Sequence, residues 1–336
     1  MADANRYRRI AVYSGGEIIG DGVYKLPFLR ALRSAFPDAV IDWVCPGTTV
    51  YADRIAPLTV GLLDHVHADI PVGQHKSDLF LPMPITGGYD LVIDTQQVVW
   101  RSLCARRLKA RGGVFLSGAA GFWLSGIRPP RGYRRPPHIL TRFFDMIEMA
   151  TGSRPALDRA LPLPADLLEK ARRQLPDVPP GGPVYVGFAP GAGEARKRWP
   201  LERFMEIARR QEARGRVPVF ILGPAEAAEL MDIRAAVPTA LFPEQDTEVW
   251  GTGFNPMRSM AIGTRLAGAL SNDSGVSHML AAADTPLVVL YGHTSAEKFG
   301  PVTRRSIFLQ ASDYGAPVME SIPADAVDAA LEKLLG

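Results

Sequence analysis

The chain has 336 residues, 47% hydrophobic and 22% charged, with only Cys45 and Cys104 and a formal net charge of +3. This composition excludes a disordered chain, a disulfide framework and a Cys-x-x-Cys zinc module, and the length predicts two domains of roughly 150 residues each. The start, Met1 to Arg9, lacks the apolar core of a signal peptide and no apolar run approaches the ~20 residues of a membrane span, so a cytoplasmic protein is expected.

In chain order, Ile10-Ala11-Val12-Tyr13 predicts a strand, the glycines of Ser14-Gly15-Gly16 and Gly20-Asp21-Gly22 a loop, and the apolar spacing of Leu26, Phe28, Leu29, Leu32 and Phe36 a helix. Val40 to Val44 is the next strand, ended by Pro46-Gly47, and Val50 to Ala56 reads as a short helix. His65-Val66-His67 and Leu91 to Asp94 follow as strands, and Trp100 to Arg111 as a basic helix. Around one helical stretch, Ala165 to Gln174, prolines crowd the segment from Gly152 to Pro183, which marks the interdomain boundary. The alternation then restarts. Strands are predicted at Val184 to Phe188, Pro218 to Leu222, Ala269 to Ser271 and Leu287 to Tyr291, and helices at Leu201 to Arg214, Ala225 to Ala236, Met257 to Ala267, Val276 to Ala283 and Ala324 to Leu335. The expected architecture is α/β, with two Rossmann-like doubly wound parallel-sheet domains. Residues 1–165 and 183–322 form the domains, 166–182 the linker and 323–336 a C-terminal helix. Such sheets bind ligands at the carboxyl ends of their strands.

Charge is unevenly spread. Between Asp94 and Asp145 no acidic residue occurs, while ten Lys and Arg residues give a local +10. That field suits an anionic partner or membrane surface; the alternative is a set of solvated arginines with counter-charges elsewhere. Within it, Phe122-Trp123-Leu124 is open to two readings, core or lipid contact.

Three short elements carry chemistry. Asn272-Asp273-Ser274-Gly275, with His278 one turn on, lies between a strand and a helix, where free amides and the helix dipole suit a diphosphate; the same residues also make a cap and turn. Pro190-Gly191-Ala192-Gly193 follows a strand and leads to Arg196-Lys197-Arg198, three cations suited to neutralising diphosphate oxygens. Asp21 offers either a general base for a hydroxyl or a carboxylate at a helix start. Neither a Walker loop nor a Gly-x-Gly-x-x-Gly fingerprint is present. In Asp64-His65-Val66-His67-Ala68-Asp69 the histidines share one strand face without a convergent third partner, so no metal site is expected.

With Gly20-Asp21, Pro27, Phe36-Pro37-Asp38-Ala39, Tyr89 to Asp94, Pro190-Gly191-Ala192, Lys197-Arg198-Trp199-Pro200, Asn272 to Gly275, His278, Thr285-Pro286 and Gly300-Pro301 in this order, the chain resembles glycosyltransferase family 9 over nearly its full length. This is the heptosyltransferase family of lipopolysaccharide assembly. The resemblance implies a GT-B architecture with two domains facing a central cleft. It also implies inverting transfer of a heptose or related sugar from a nucleotide diphosphate donor, ADP-linked, with neither cofactor nor metal. It implies Asp21 as catalytic base. Gly191, Ala192, Lys197, Arg198, Asp273, Ser274, Gly275 and His278 would surround the donor diphosphate, and Asp94, Gln96 and Arg101 the acceptor. The implied partners are the nucleotide sugar and an anionic glycolipid or glycan, not nucleic acid, with peripheral association at the cytoplasmic face of the inner membrane. A nucleotide-sugar binding protein or a sugar-nucleotide epimerase of the same fold is the alternative. The sequence departs from the family at a longer Ser14 to Ile19 loop, Ala189 before Pro190, Gly292 to Ala296, and an extra stretch from Asp246 to Pro256.

Overall fold

A computed structural model describes residues 6–85, 87–159 and 161–336, so Met1 to Asn5, the first part of the polar start, lie outside the described residues. The chain divides into two compact units, Met1–Asp158 and Arg159–Gly336.

In the first unit, β1 (Arg9–Tyr13), α1 (Ile19–Ala35), β2 (Val40–Val44), β3 (His65–His67), β4 (Tyr89–Asp94), α2 (Val99–Arg106), β5 (Lys109–Ser117) and α3 (Ile139–Thr151) follow one another. The strands are all parallel, in the order β3-β2-β1-β4-β5. The inner strands are buried on both faces, which explains their unbroken apolar runs. On one face α1 packs against α3, with the Phe28 and Phe143 rings 5.3 Å apart.

Two expectations need correction here. The basic helix stops at Arg106, and Lys109 begins β5 instead. Its polar start masks the strand: Gly113 lies so near Tyr89 that a Cβ would sit 2.5 Å from the Tyr89 carbonyl oxygen, at a register shift between β4 and β5. Val50 to Ile55 forms a turn rather than a helix. It folds onto α1, where an added Cβ on Gly22 would stand 2.4 Å from Val50 Cγ2, and the buried Tyr51 hydroxyl donates to the Gly22 carbonyl at 2.8 Å.

The second unit contains α4 (Ala165–Gln174), β6 (Tyr185–Ala189), α5 (Leu201–Ala213), β7 (Val217–Phe220), α6 (Leu230–Ala236), α7 (Thr247–Trp250), α8 (Pro256–Gly263), β8 (Gly268–Asn272), α9 (Gly275–Ala282), β9 (Leu287–Tyr291), α10 (Ala296–Phe299), β10 (Ser306–Gln310) and α11 (Ala324–Leu335). Its parallel sheet runs β10-β9-β8-β6-β7. The helix α4 packs on α8, and α11 packs on α5 and the sheet. The core centres on Phe188, Phe204, Phe220 and Trp199. In each sheet the strand order reverses at one place, between β1 and β4 and between β6 and β8. Open α/β sheets bind ligands beyond the strand ends at such places.

Candidate active site

At the β6/β8 reversal two loops leave side by side, and Asn272 joins them. Its buried Nδ2 donates to the Pro190 carbonyl at 2.7 Å, while its Oδ1 accepts the Trp199 backbone N–H at 3.1 Å. Trp199 is fixed in turn by burial, an edge contact with Phe204 and an Nε1 bond to the Ile322 carbonyl at 3.0 Å. The loop therefore holds Lys197 against the next residue, Asp273. Lys197 Nζ lies 2.9 Å from Asp273 Oδ2, and the Thr294 hydroxyl donates to the same oxygen at 2.6 Å. The two side chains are 21% and 8% exposed, so the pair borders solvent at its cationic end.

Immediately after it, Ser274 stands just before α9, at its N-cap, in an extended conformation. Its hydroxyl oxygen is buried and has no hydrogen-bond partner among the described residues. The first amides of a helix also lack partners within the helix. Gly275 and His278 occupy the first turn and a half. The result is an ion pair, unsatisfied donors and a helix N-terminus in one place, which suits an anion with several oxygens.

The three consecutive cations have separate fates. Lys197 joins the Asp273 loop, Arg196 is exposed and pairs with Glu194 at 2.7 Å, and Arg198, expected beside the diphosphate, pairs with Glu229. Gly191 stays close to Ala192 in the loop, where an added Cβ would lie 2.7 Å from the buried Glu226 carboxyl carbon, and one on Gly223 would lie 2.9 Å from a Glu226 oxygen. Glu226 thus links this loop to a cavity of about 480 Å³ lined by Gly223, Pro224, Glu244, Gln245, Phe254, Asn255 and Arg258, among others. The extra stretch from Asp246 supplies part of that wall, with α7 capped by the Asp246 carboxylate. Desolvation pushes the Glu244 carboxyl up to about 7, with Glu226 adding to the rise. Sequence reasoning missed Thr294, Glu226 and Glu244. Only Thr294 had a signal, its place in the altered Gly292 to Ala296 segment.

At the β1/β4 reversal of the first unit, the loop before α1 is held by a buried charge pair. Glu17 Oε1 accepts Lys25 Nζ at 2.8 Å, and Oε2 accepts the Thr49 hydroxyl at 2.6 Å and Trp43 Nε1 at 3.1 Å. Lys25 also donates to Ser14 Oγ at 2.9 Å. This network, unseen in the sequence, fixes the strand-to-helix loop that leads into α1; Gly20-Asp21-Gly22, expected in that loop, open the helix instead, with Asp21 exposed in its first turn.

Gln96 and Arg101 approach the same loop: a Cβ on Gly15 would stand 2.8 Å from Gln96 Oε1 and 2.9 Å from an Arg101 terminal nitrogen. Asp94, expected to touch an acceptor, is fully buried instead. It accepts the Gln96 amide and the Ser117 hydroxyl, each at 2.8 Å, and the Ser102 hydroxyl, so it ties together the ends of β4 and β5 and the start of α2. Burial pushes its carboxyl up to about 6.

The basic segment resolves too. Among the described residues none of its ten cations is ion-paired to a carboxylate, and Arg128, Arg131, Arg134 and Arg135 are exposed. Phe122 and Leu124 belong to the core, whereas Trp123 is 70% exposed. The histidine pair on β3 also differs from expectation: Asp42 of the neighbouring strand converges on both rings. Among the described residues no helix is long and apolar enough to cross a membrane.

Comparison with known proteins bears on this geometry. Residues 85–321 match the sequence model of glycosyltransferase family 9 (heptosyltransferase). Lipopolysaccharide heptosyltransferase 3 of Escherichia coli K12 is 25% identical over 352 residues, covering 94% of this chain and 95% of that protein. Among solved structures, a family 9 glycosyl transferase from Veillonella parvula is 21% identical and superposes with a TM-score of 0.71 over 98% of this chain and 97% of its own. The Escherichia coli heptosyltransferase WaaC with ADP-2-deoxy-2-fluoro heptose is 18% identical, with a TM-score of 0.64 over 97% and 99%.

Proposed function

The chain belongs to glycosyltransferase family 9, the heptosyltransferases, and on that premise we propose that it transfers a heptose or related sugar from an ADP-linked donor to an anionic lipopolysaccharide or other cell-surface glycan, inverting the anomeric centre without a metal. The observation that carries this reading is the Lys197–Asp273–Thr294 cluster at the N-terminus of α9, beside the Ser274 hydroxyl, which has no partner among the described residues.

In this scheme the donor diphosphate lies on the α9 amides and Ser274, close to Lys197. Its nucleoside fills the cavity lined by Gly223, Pro224 and Gln245, with the buried Glu226 standing between that cavity and the Gly191 loop. Asp21 takes the proton from the acceptor hydroxyl as its oxygen bonds to the sugar's anomeric carbon. The bond from that carbon to the diphosphate oxygen breaks, and its electron pair leaves with the nucleotide. Negative charge therefore grows where the helix end and Lys197 stand, and oriented donors already in place stabilise it more than water would. Because Asp273 is paired with Lys197 and bonded by Thr294, it orients the ammonium without leaving a lone anion facing the phosphates. These fixed donors take the part that Mg²⁺ plays elsewhere.

Acceptor recognition is assigned to Gln96 and Arg101, positioned by Asp94, and to the exposed arginines 128, 131, 134 and 135 with Trp123. The same basic and aromatic surface suits peripheral contact with anionic lipid at the cytoplasmic face of the inner membrane.

The test is product formation. The full chain is incubated with ADP-, UDP- and GDP-linked sugars and a heptose-deficient lipopolysaccharide acceptor, with and without EDTA, and products are identified by mass and anomeric NMR. Transfer from the ADP donor in EDTA, with inverted configuration, is the expected result. Donor conversion without acceptor would point to an epimerase, and stoichiometric binding without turnover to a binding protein.

A further inference from the structure

We propose that Asp42, His65 and His67 form a divalent-metal site, zinc-like in its donor set, that clasps the short edge strand β3 to β2. Asp42 and His65 are register partners across the two strands, and His67 follows two residues later on the same face. Asp42 Oδ1 lies 2.8 Å from His65 Nδ1, and Oδ2 lies 3.5 Å from His67 Nε2. One ligand atom from each residue falls within 4.8 Å of the other two. Ligands about 2.1 Å from a tetrahedral ion stand roughly 3.4 Å apart, and the imidazole nitrogens lie 2.8 and 3.5 Å from the two oxygens of the one Asp42 carboxylate, so small side-chain rotations bring all three residues onto one ion. The His65 side chain is 63% exposed and its ring stands 6.0 Å from that of His67, which is 33% exposed.

Charge points the same way. Asp42 is 3% exposed, and among the described residues its only ion-pair contacts are with these two imidazoles. A buried carboxylate gains from a cation placed against it. A divalent ion supplies one, and two imidazoles with one carboxylate are a donor set that suits zinc. The Tyr89 hydroxyl donates to Asp42 Oδ2 at 2.8 Å and steadies the carboxylate from behind, as outer partners of metal ligands do. The adjacent Asp64 does not compete, because it is held by Arg33 and the Ile41 amide. Three protein ligands leave a further position open to water on the solvent side. The role assigned is mechanical: β3 has three residues and one strand neighbour, and a metal bridge makes up for the small ladder that holds it.

The experiment uses tag-free, chelator-stripped full-length protein titrated with Co²⁺ and Zn²⁺. A visible Co²⁺ band that saturates at one ion per chain, is displaced by Zn²⁺ and accompanies a rise in Tm is expected. His65→Ala and His67→Ala, folded by circular dichroism, should each weaken binding by more than the roughly tenfold expected for removing an outer partner with Tyr89→Phe. His75→Ala, on an exposed loop, should leave binding unchanged. Absence of a band at millimolar Co²⁺, or binding indifferent to both histidine variants, would overturn the site and leave Asp42 and His65 as a hydrogen-bonded pair.

Discussion

The two strand reversals each carry a lysine–carboxylate pair, and they differ in how far that pair is sealed from solvent. At β1/β4 the pair Glu17–Lys25 is sealed inside, with Ser14, Thr49 and Trp43 taking up the remaining bonds. At β6/β8 the pair Lys197–Asp273 borders solvent and sits beside a hydroxyl that has no partner among the described residues. A sealed pair adds little net stability but is expensive to break, so it suits a loop whose shape must not change. An open pair with unsatisfied donors keeps its binding capacity for a guest. The first reversal fixes where a carboxylate points; the second holds charge in readiness.

That contrast can be broken experimentally. The largest effect is expected at Asp21, where Asp21→Asn should lower kcat by about 10²- to 10⁴-fold while isothermal titration finds nucleotide affinity within a factor of about two. Equal losses in turnover and nucleotide binding would remove the base assignment. Next, Lys197→Met should cost roughly 10²- to 10³-fold in kcat/KM and, unlike Asp21→Asn, weaken ADP binding as well. A third variant, Glu17→Gln, should leave ADP binding intact yet cost about 3 kcal/mol in urea unfolding by stranding a buried ammonium, with Glu17→Gln/Lys25→Met recovering much of it. If the single change is silent, the sealed pair does not hold the loop.

The smallest effect concerns pH. Glu244 titrates near 7 in the fold against an ordinary 4.5, so the folded chain binds more protons between these values. Its contribution to stability is accordingly lost as pH rises from about 4.5 through 7, by on the order of 1–3 kcal/mol. Asp94, raised to about 6, acts in the same direction, so the wild-type trend alone is not diagnostic. Glu244→Gln should be more stable than wild type at pH 8 and lose that advantage at pH 4. Equal melting temperatures for the two proteins at pH 8 would refute the shift.

Much of this was legible in the sequence because the signals are local. Apolar runs marked seven of the strands and the alternating His65-Val66-His67 an eighth, and Asn272 to Gly275 announced its strand-to-helix junction. What escaped depends on distant partners or mixed burial. The edge strands β5 and β10 expose part of their length and so lack the apolar runs of the inner ones. The ligands of Glu17 lie 8, 26 and 32 residues away, and Asp42 stands 23 residues before His65, so no window of sequence joins them. Arg198 and Asp94 carried the right chemistry by type, but tertiary packing turned one to Glu229 and enclosed the other.

The Asn272 clasp has one more consequence. Both ends of its amide are oriented, one giving a proton to a carbonyl and the other receiving one from an amide. Aspartate, nearly identical in shape, would set a second acceptor against the Pro190 oxygen, and leucine would orphan both neighbours. The position therefore tolerates no isostere, and a change of a single heavy atom there is enough to unfasten two loops at once.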